Sequence, residues 1–165
     1  MNPVRQIALE ALSQFGIPFT LTDHPAAYTV DEIDAMHLEN EEYVAKNLFL
    51  RDDKKRRFYL LVLRKDKRAD LKDLRAQIGS RPLGFASEEM LLEVLRLPKG
   101  SVTPLGILND DEKRTELLID GDILNSPLVG VHPNENTATI WLRPSDLLTL
   151  AAACGTPVRS VIVRA

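Results

Sequence analysis

Val4, Ile7, Ala8, Ala11, Leu12 and Phe15 recur at the spacing that puts side chains on one face of a helix, and Gly16 ends the run. From Ile17 to Leu21 the pattern alternates as in a strand. Thr29, with Glu32 three residues on, has the form of a capping box, and the short helix it opens places Val30, Ile33, Met36 and His37 together. Residues 46–51 and 58–64 read as two strands. The polar turn Asp52-Asp53-Lys54-Lys55-Arg56 between them predicts a hairpin. Leu60 to Leu63 is unbroken by polar residues, as expected of a strand covered on both faces.

Asp70 then caps a helix carrying Leu71, Leu74 and Ile78, which Gly79 ends. Ser87, followed by Glu88 and Glu89, starts another, with a stripe of Leu91, Leu92, Val94 and Leu95 that Pro98 and Gly100 close. Strands are predicted at 116–119, 128–131, 137–142 and 158–163, and a helix capped by Ser145 over 145–153, ended by Gly155. Helices and strands intermingled on short connections predict a mixed α/β fold around one central sheet, a single domain over residues 1–165.

Composition narrows the class of protein. No apolar stretch approaches the roughly 20 residues that cross a bilayer, and the first residues run into the amphipathic pattern without the form of a secretory signal. A lone cysteine, Cys154, permits no internal disulfide and fits a reducing cytoplasm. The three histidines match no zinc spacing. The net charge of −3 is unevenly spread: residues 51–81 carry 12 Lys/Arg against 5 Asp/Glu. Such a basic segment is either a solvated surface or a face for an anion such as nucleic acid.

The chain has no G-x-S-x-G elbow, no Walker A loop and no G-x-G-x-x-G fingerprint. Cys154, near the end of an apolar helix, reads as a small buried hydrophobe. Three features remain. Lys46-Asn47 opens a strand, where a lysine either snorkels to solvent or meets a ligand. Gly100-Ser101-Val102-Thr103-Pro104 is a loop bracketed by glycine and proline, either a plain helix-to-strand turn or a stiff frame for backbone groups. His132 stands where Pro133 stops a strand, a place as often plain surface as functional.

In order, His24-Pro25, Thr29-Val30, Lys46-Asn47-Leu48-Phe49-Leu50, Gly100 to Pro104 and Gly130-Val131-His132-Pro133-Asn134 resemble the YbaK/ProX family. Its members are relatives of the editing domain inserted in many bacterial prolyl-tRNA synthetases. The ProX branch is most similar, through the basic turn and Ser80-Arg81-Pro82-Leu83-Gly84-Phe85-Ala86. The resemblance spans nearly the whole chain. It implies a mostly antiparallel, barrel-like sheet flanked by helices, and hydrolysis of mischarged tRNA(Pro), alanyl-tRNA(Pro) foremost, with no metal or cofactor.

By the same resemblance Lys46 holds the phosphate of the terminal nucleotide and Asn47 positions the ester. Gly100, Ser101, Val102, Thr103 and Pro104 present backbone groups, and His132 lines the aminoacyl pocket. Val30, Ile33 and Met36 narrow that pocket, or else belong to the core. Lys54, Lys55 and Arg56 are candidates for contact with the tRNA acceptor end, and a transient contact with prolyl-tRNA synthetase stays open. Rival readings are a cysteinyl-tRNA(Pro) deacylase, a non-catalytic tRNA- or synthetase-binding module, and a small-molecule esterase.

Overall fold

In the computed structural model, which describes residues 3–164, the chain forms two sheets with helices packed around them. The ends of the 1–165 span, including Met1 and Asn2 of the stretch read as lacking a secretory signal, lie outside the described residues. The order is α1 (Pro3–Gln14), β1 (Thr20–Asp23), α2 (Val30–Ala35), β2 (Ala45–Asp52), β3 (Phe58–Arg64), α3 (Leu71–Ile78), β4 (Leu83–Phe85) and α4 (Glu88–Leu95). There follow β5 (Thr115–Asp120), α5 (Gly121–Leu124), β6 (Val129–Val131), β7 (Ala138–Leu142), α6 (Pro144–Cys154) and β8 (Val158–Val161).

The larger sheet runs β4-β2-β3-β5-β8, antiparallel across β4-β2-β3 and parallel across β3-β5-β8. The smaller, β1-β7-β6, is antiparallel throughout. The mixed α/β architecture is as the sequence predicts, with antiparallel pairs in the majority. The single barrel-like sheet is replaced by two sheets, and no closed barrel forms among the described residues.

β3 lies at the centre of the larger sheet, and Leu60 to Leu63 are wholly buried. Alternation sends Leu60 and Val62 to the core between the sheets and Leu61 and Leu63 to the side covered by α3, the two-faced burial that an unbroken apolar run requires. The hairpin forms as expected, its turn closed by Lys55 N–H to Asp52 O at 3.1 Å and by the Asp52 carboxylate accepting from Arg56 N–H at 3.0 Å.

Several boundaries differ, each for a local reason. The Ile17 N–H is spent on Leu12 O at 2.9 Å and Pro18 has none to give, so β1 begins at Thr20 instead of Ile17. α6 is capped by Arg143 and not Ser145. Pro144 suits the first helical position, and the Asp146 carboxylate accepts from Arg143 N–H at 2.9 Å. α4 stops at Leu95, with Arg96 in the left-handed region at φ 53°, before Pro98 is reached. His37 is likewise left-handed, at φ 51°, so it leaves the helical face assigned to it. β4, α5 and two 3-10 segments, Glu41–Tyr43 and Pro104–Asn109, are too short to show as periodicity.

Candidate active site

β4 pairs with β2 only along Leu50–Asp52, so the opposite end of β2 has a free edge. There the two sheets meet, through a parallel bridge between Val44 and Gly130. The approach is close: a Cβ at Gly130 would stand 3.1 Å from Trp141 Nε1 and from Val44 Cγ2, so a larger residue would push these neighbours back by a few tenths of an ångström. The junction holds a cavity of about 190 Å³, bounded by α2, the free end of β2, the Gly100 loop and the end of β6.

Lys46, Asn47, Gly100, Val102 and His132 all line this cavity, as do Val30 and Ile33 of α2. These residues, up to 102 positions apart in sequence for Val30 and His132, thus share one space. Successive strand residues normally face opposite sides. Here the missing neighbour strand lets both Lys46 and Asn47 border the cavity from the edge of β2. Lys46 Nζ donates to Lys67 O at 2.6 Å. Asn47 Oδ1 is buried and has no hydrogen-bond partner among the described residues.

The Gly100 loop contributes unevenly. Gly100, at φ +82°, lies so near Tyr28 that a Cβ would come within 2.5 Å of Tyr28 Cδ1. Ser101, Thr103 and Pro104 are buried away from the cavity walls. Thr103 is a brace: its hydroxyl donates to His132 O at 2.6 Å and accepts from Leu105 N–H at 3.3 Å, tying the loop to the histidine's own backbone.

His132 Nδ1 lies 2.9 Å from Ala138 O. A carbonyl can only accept, so Nδ1 carries the hydrogen and Nε2 is left as an acceptor. Burial pushes this imidazole below its ordinary pKa, against the opposing pull of the Ala138 hydrogen bond, and the neighbouring His24 adds to the lowering. The two rings sit 6.1 Å apart. His24 is itself held between Pro25 O at 2.8 Å and the Thr139 hydroxyl at 2.9 Å. Thr139 and the exposed Tyr28 border the cavity without having been singled out by sequence.

Met36, grouped by sequence with Val30 and Ile33, is the C-cap of α2 and packs beside the small cluster around Ile33 and Trp141; it does not line the cavity. Lys54, Lys55 and Arg56 are exposed at the hairpin turn, beyond Asp52. The six-residue step from Lys46 to Asp52 puts them about 20 Å along the strand from Lys46, so the structure does not bring them to the cavity. Cys154 packs against the core, and burial raises its thiol pKa, which makes it a poor nucleophile. Among the described residues, no three His, Cys, Asp or Glu side chains gather as a metal site, and no helix is long and apolar enough to cross a membrane.

Residues 24–150 match the family model of the aminoacyl-tRNA editing domain. The chain is 41% identical over 157 residues to the prolyl-tRNA editing protein ProX of Acetoanaerobium sticklandii, covering 95% of this chain and 96% of that one. It is 37% identical over 143 residues to prolyl-tRNA synthetase associated domain-containing protein 1 of Danio rerio, covering 84% and 76%. A crystal structure of a candidate trans-editing enzyme for prolyl-tRNA synthetase superimposes with a TM-score of 0.77 over 100% of this chain and 99% of that one; at 23% identity it bears on the fold alone.

Proposed function

The chain belongs to the aminoacyl-tRNA editing domain family, and on that premise we propose that it deacylates mischarged tRNA(Pro), with alanyl-tRNA(Pro) its foremost substrate. The observation that carries this reading is the convergence of Lys46, Asn47, Gly100, Val102 and His132 on one small cavity at the junction of the sheets.

An aminoacyl ester is already activated, so orientation and charge stabilisation supply most of what its hydrolysis needs. Lys46, a compact cation, anchors the phosphate of the terminal nucleotide. That fixes the ester against the free end of β2. Asn47, whose side chain borders the cavity, positions the ester by hydrogen bonding through its amide. His132, neutral and with Nε2 free to accept, does the same without repelling the ammonium. Backbone N–H groups of the Gly100 loop, held stiff by Thr103, face the carbonyl oxygen as it gains charge. Water adds to the carbonyl carbon and the bond to the ribose oxygen breaks. The products are the free amino acid and tRNA with its hydroxyl restored, and the neighbouring ribose hydroxyl relays the proton.

Among the described residues no serine or cysteine stands in the cavity wall to act as nucleophile, and this scheme uses none. Proline is refused by size, because Val30 and Ile33 close the cavity on the α2 side. A transient contact with prolyl-tRNA synthetase accords with the same role. Deacylation of alanyl-, cysteinyl- and prolyl-tRNA(Pro) side by side tests the assignment. Alanyl-tRNA(Pro) is expected to be consumed fastest and prolyl-tRNA(Pro) spared. Preference for the cysteinyl ester would shift the substrate, and binding without turnover of any ester would reduce the protein to a tRNA-binding module.

A further inference from the structure

Lys46 is not aimed by its own strand alone. Its Nζ donates to the main-chain carbonyl of Lys67, in the turn after β3, at 2.6 Å. That turn is held by an unusual clamp. The Lys67 side chain is only 6% exposed, and its ammonium meets Asp120 at 2.7 Å, Asp122 at 2.6 Å and Val163 O at 2.6 Å. Three acceptors match the three hydrogens of an ammonium. Asp120, 2% exposed at the end of β5, uses its other oxygen to accept from Val163 N–H at 3.2 Å. The backbone of the turn closes on itself through Lys67 N–H to Arg64 O at 3.1 Å. The same turn is also tied to α2, where Lys65 pairs with Asp34 at 2.5 Å.

We propose that Lys67, clamped by Asp120 and Asp122, is a positioning residue that sets where the Lys46 ammonium stands. Its side chain touches no part of the substrate cavity; it acts through its own carbonyl. One hydrogen of Lys46 is committed to Lys67 O, and two remain to face an anion. A lysine stem has four flexible bonds, so without a fixed carbonyl its charge wanders over several ångströms and the phosphate is held loosely. The cost of burying the Lys67–Asp120 pair, which desolvation makes high, goes with a function beyond stability: the pair sits where it fixes the one carbonyl that Lys46 uses.

The inference rests on the reading of Lys46 as the substrate anchor, and a double-mutant cycle separates the two. The substitutions Lys67→Met and Lys46→Ala are made singly and together in the full chain. Single-turnover deacylation of alanyl-tRNA(Pro) is measured at a temperature where circular dichroism shows each variant folded. Lys67→Met alone is expected to lower kcat/KM roughly tenfold, the scale of a small misplacement, and to cost less than twofold once Lys46 is already alanine. Equal losses in the two backgrounds, or none in the parent, overturn the clamp and leave Lys67 a structural residue. Full activity of Lys46→Ala overturns the reading of Lys46 itself.

If Lys67→Met does not fold, Asp122→Ala takes its place. Asp122 is 47% exposed and its loss leaves the buried Lys67–Asp120 pair intact. A loss of about threefold that disappears in the Lys46→Ala background supports the clamp. A loss of the same size in both backgrounds, or no loss in either, overturns it.

Discussion

At the scale of single residues the site depends on protonation states and unfilled hydrogen-bond positions. His132 is built to stay neutral, because burial lowers its pKa below the ordinary 6.5. The sign of the consequence follows from linkage. As pH falls through 6.5, a histidine in the unfolded chain takes up a proton while folded His132 does not. The unfolded state then binds more protons and the folded state loses stability, until the pH passes the lowered folded value. His132→Gln removes that contribution. The gap in melting temperature between parent and variant is therefore expected to shrink from pH 7.5 to pH 5, and a constant gap would mean that the imidazole is not held neutral. That Lys46, Asn47, Gly100 and His132 belong together was implied by the resemblance to the YbaK/ProX family, and the structure puts all four around one cavity. Tyr28 and Thr139 were not legible in the sequence. Nothing local marks Thr139 in a strand of ordinary composition, and the exposure of Tyr28 beside Gly100 exists only once both loops are placed.

At the scale of elements, what positions the site is an absence of pairing. Because β4 covers only the far half of β2, the near end is left open at the seam with the small sheet. Sequence pattern found β2 and β3 readily, since an eight-residue strand beside a buried seven-residue one carries a strong signal. It did not find three-residue β4, whose brevity creates the open edge. α2 was foreseen from its Thr29 cap, and Thr29 Oγ1 accepts from Glu32 N–H at 3.2 Å. The helix ends at Ala35, so Met36 does not line the cavity and His37 leaves the helical face. Ile33 keeps a double role, 2% exposed among Ala27, Val44 and Trp141 while also lining the cavity. Ile33→Ala is expected to cost about 2–4 kcal/mol of stability in urea denaturation. It is also expected to raise the rate on prolyl-tRNA(Pro) relative to alanyl-tRNA(Pro). An unchanged ratio would confine Ile33 to packing.

At the scale of the whole molecule, the basic run over 51–81 is less exposed charge than it looks in sequence, since Arg64, Lys65, Lys67 and Arg81 are taken by Asp partners. Lys54, Lys55 and Arg56 have no ion pair among the described residues and project from the hairpin end of β2. If this turn meets the acceptor stem beyond the terminal nucleotide, tRNA affinity falls steeply with salt. Charge reversal at the three positions is expected to flatten that slope, and a slope unchanged by reversal would remove the turn from the tRNA surface. Which side chains form the site is a property of this scale too: the two-sheet seam gathers segments that the chain keeps apart, and strand pairing between distant segments is what pattern reads least well. The single-turnover rate of alanyl-tRNA(Pro) deacylation by the parent and by Lys46→Ala, with both shown folded by the same melting curve, decides whether that seam is the active site. The expected result is loss of most activity in Lys46→Ala with its fold intact; near-parental turnover would place the chemistry elsewhere.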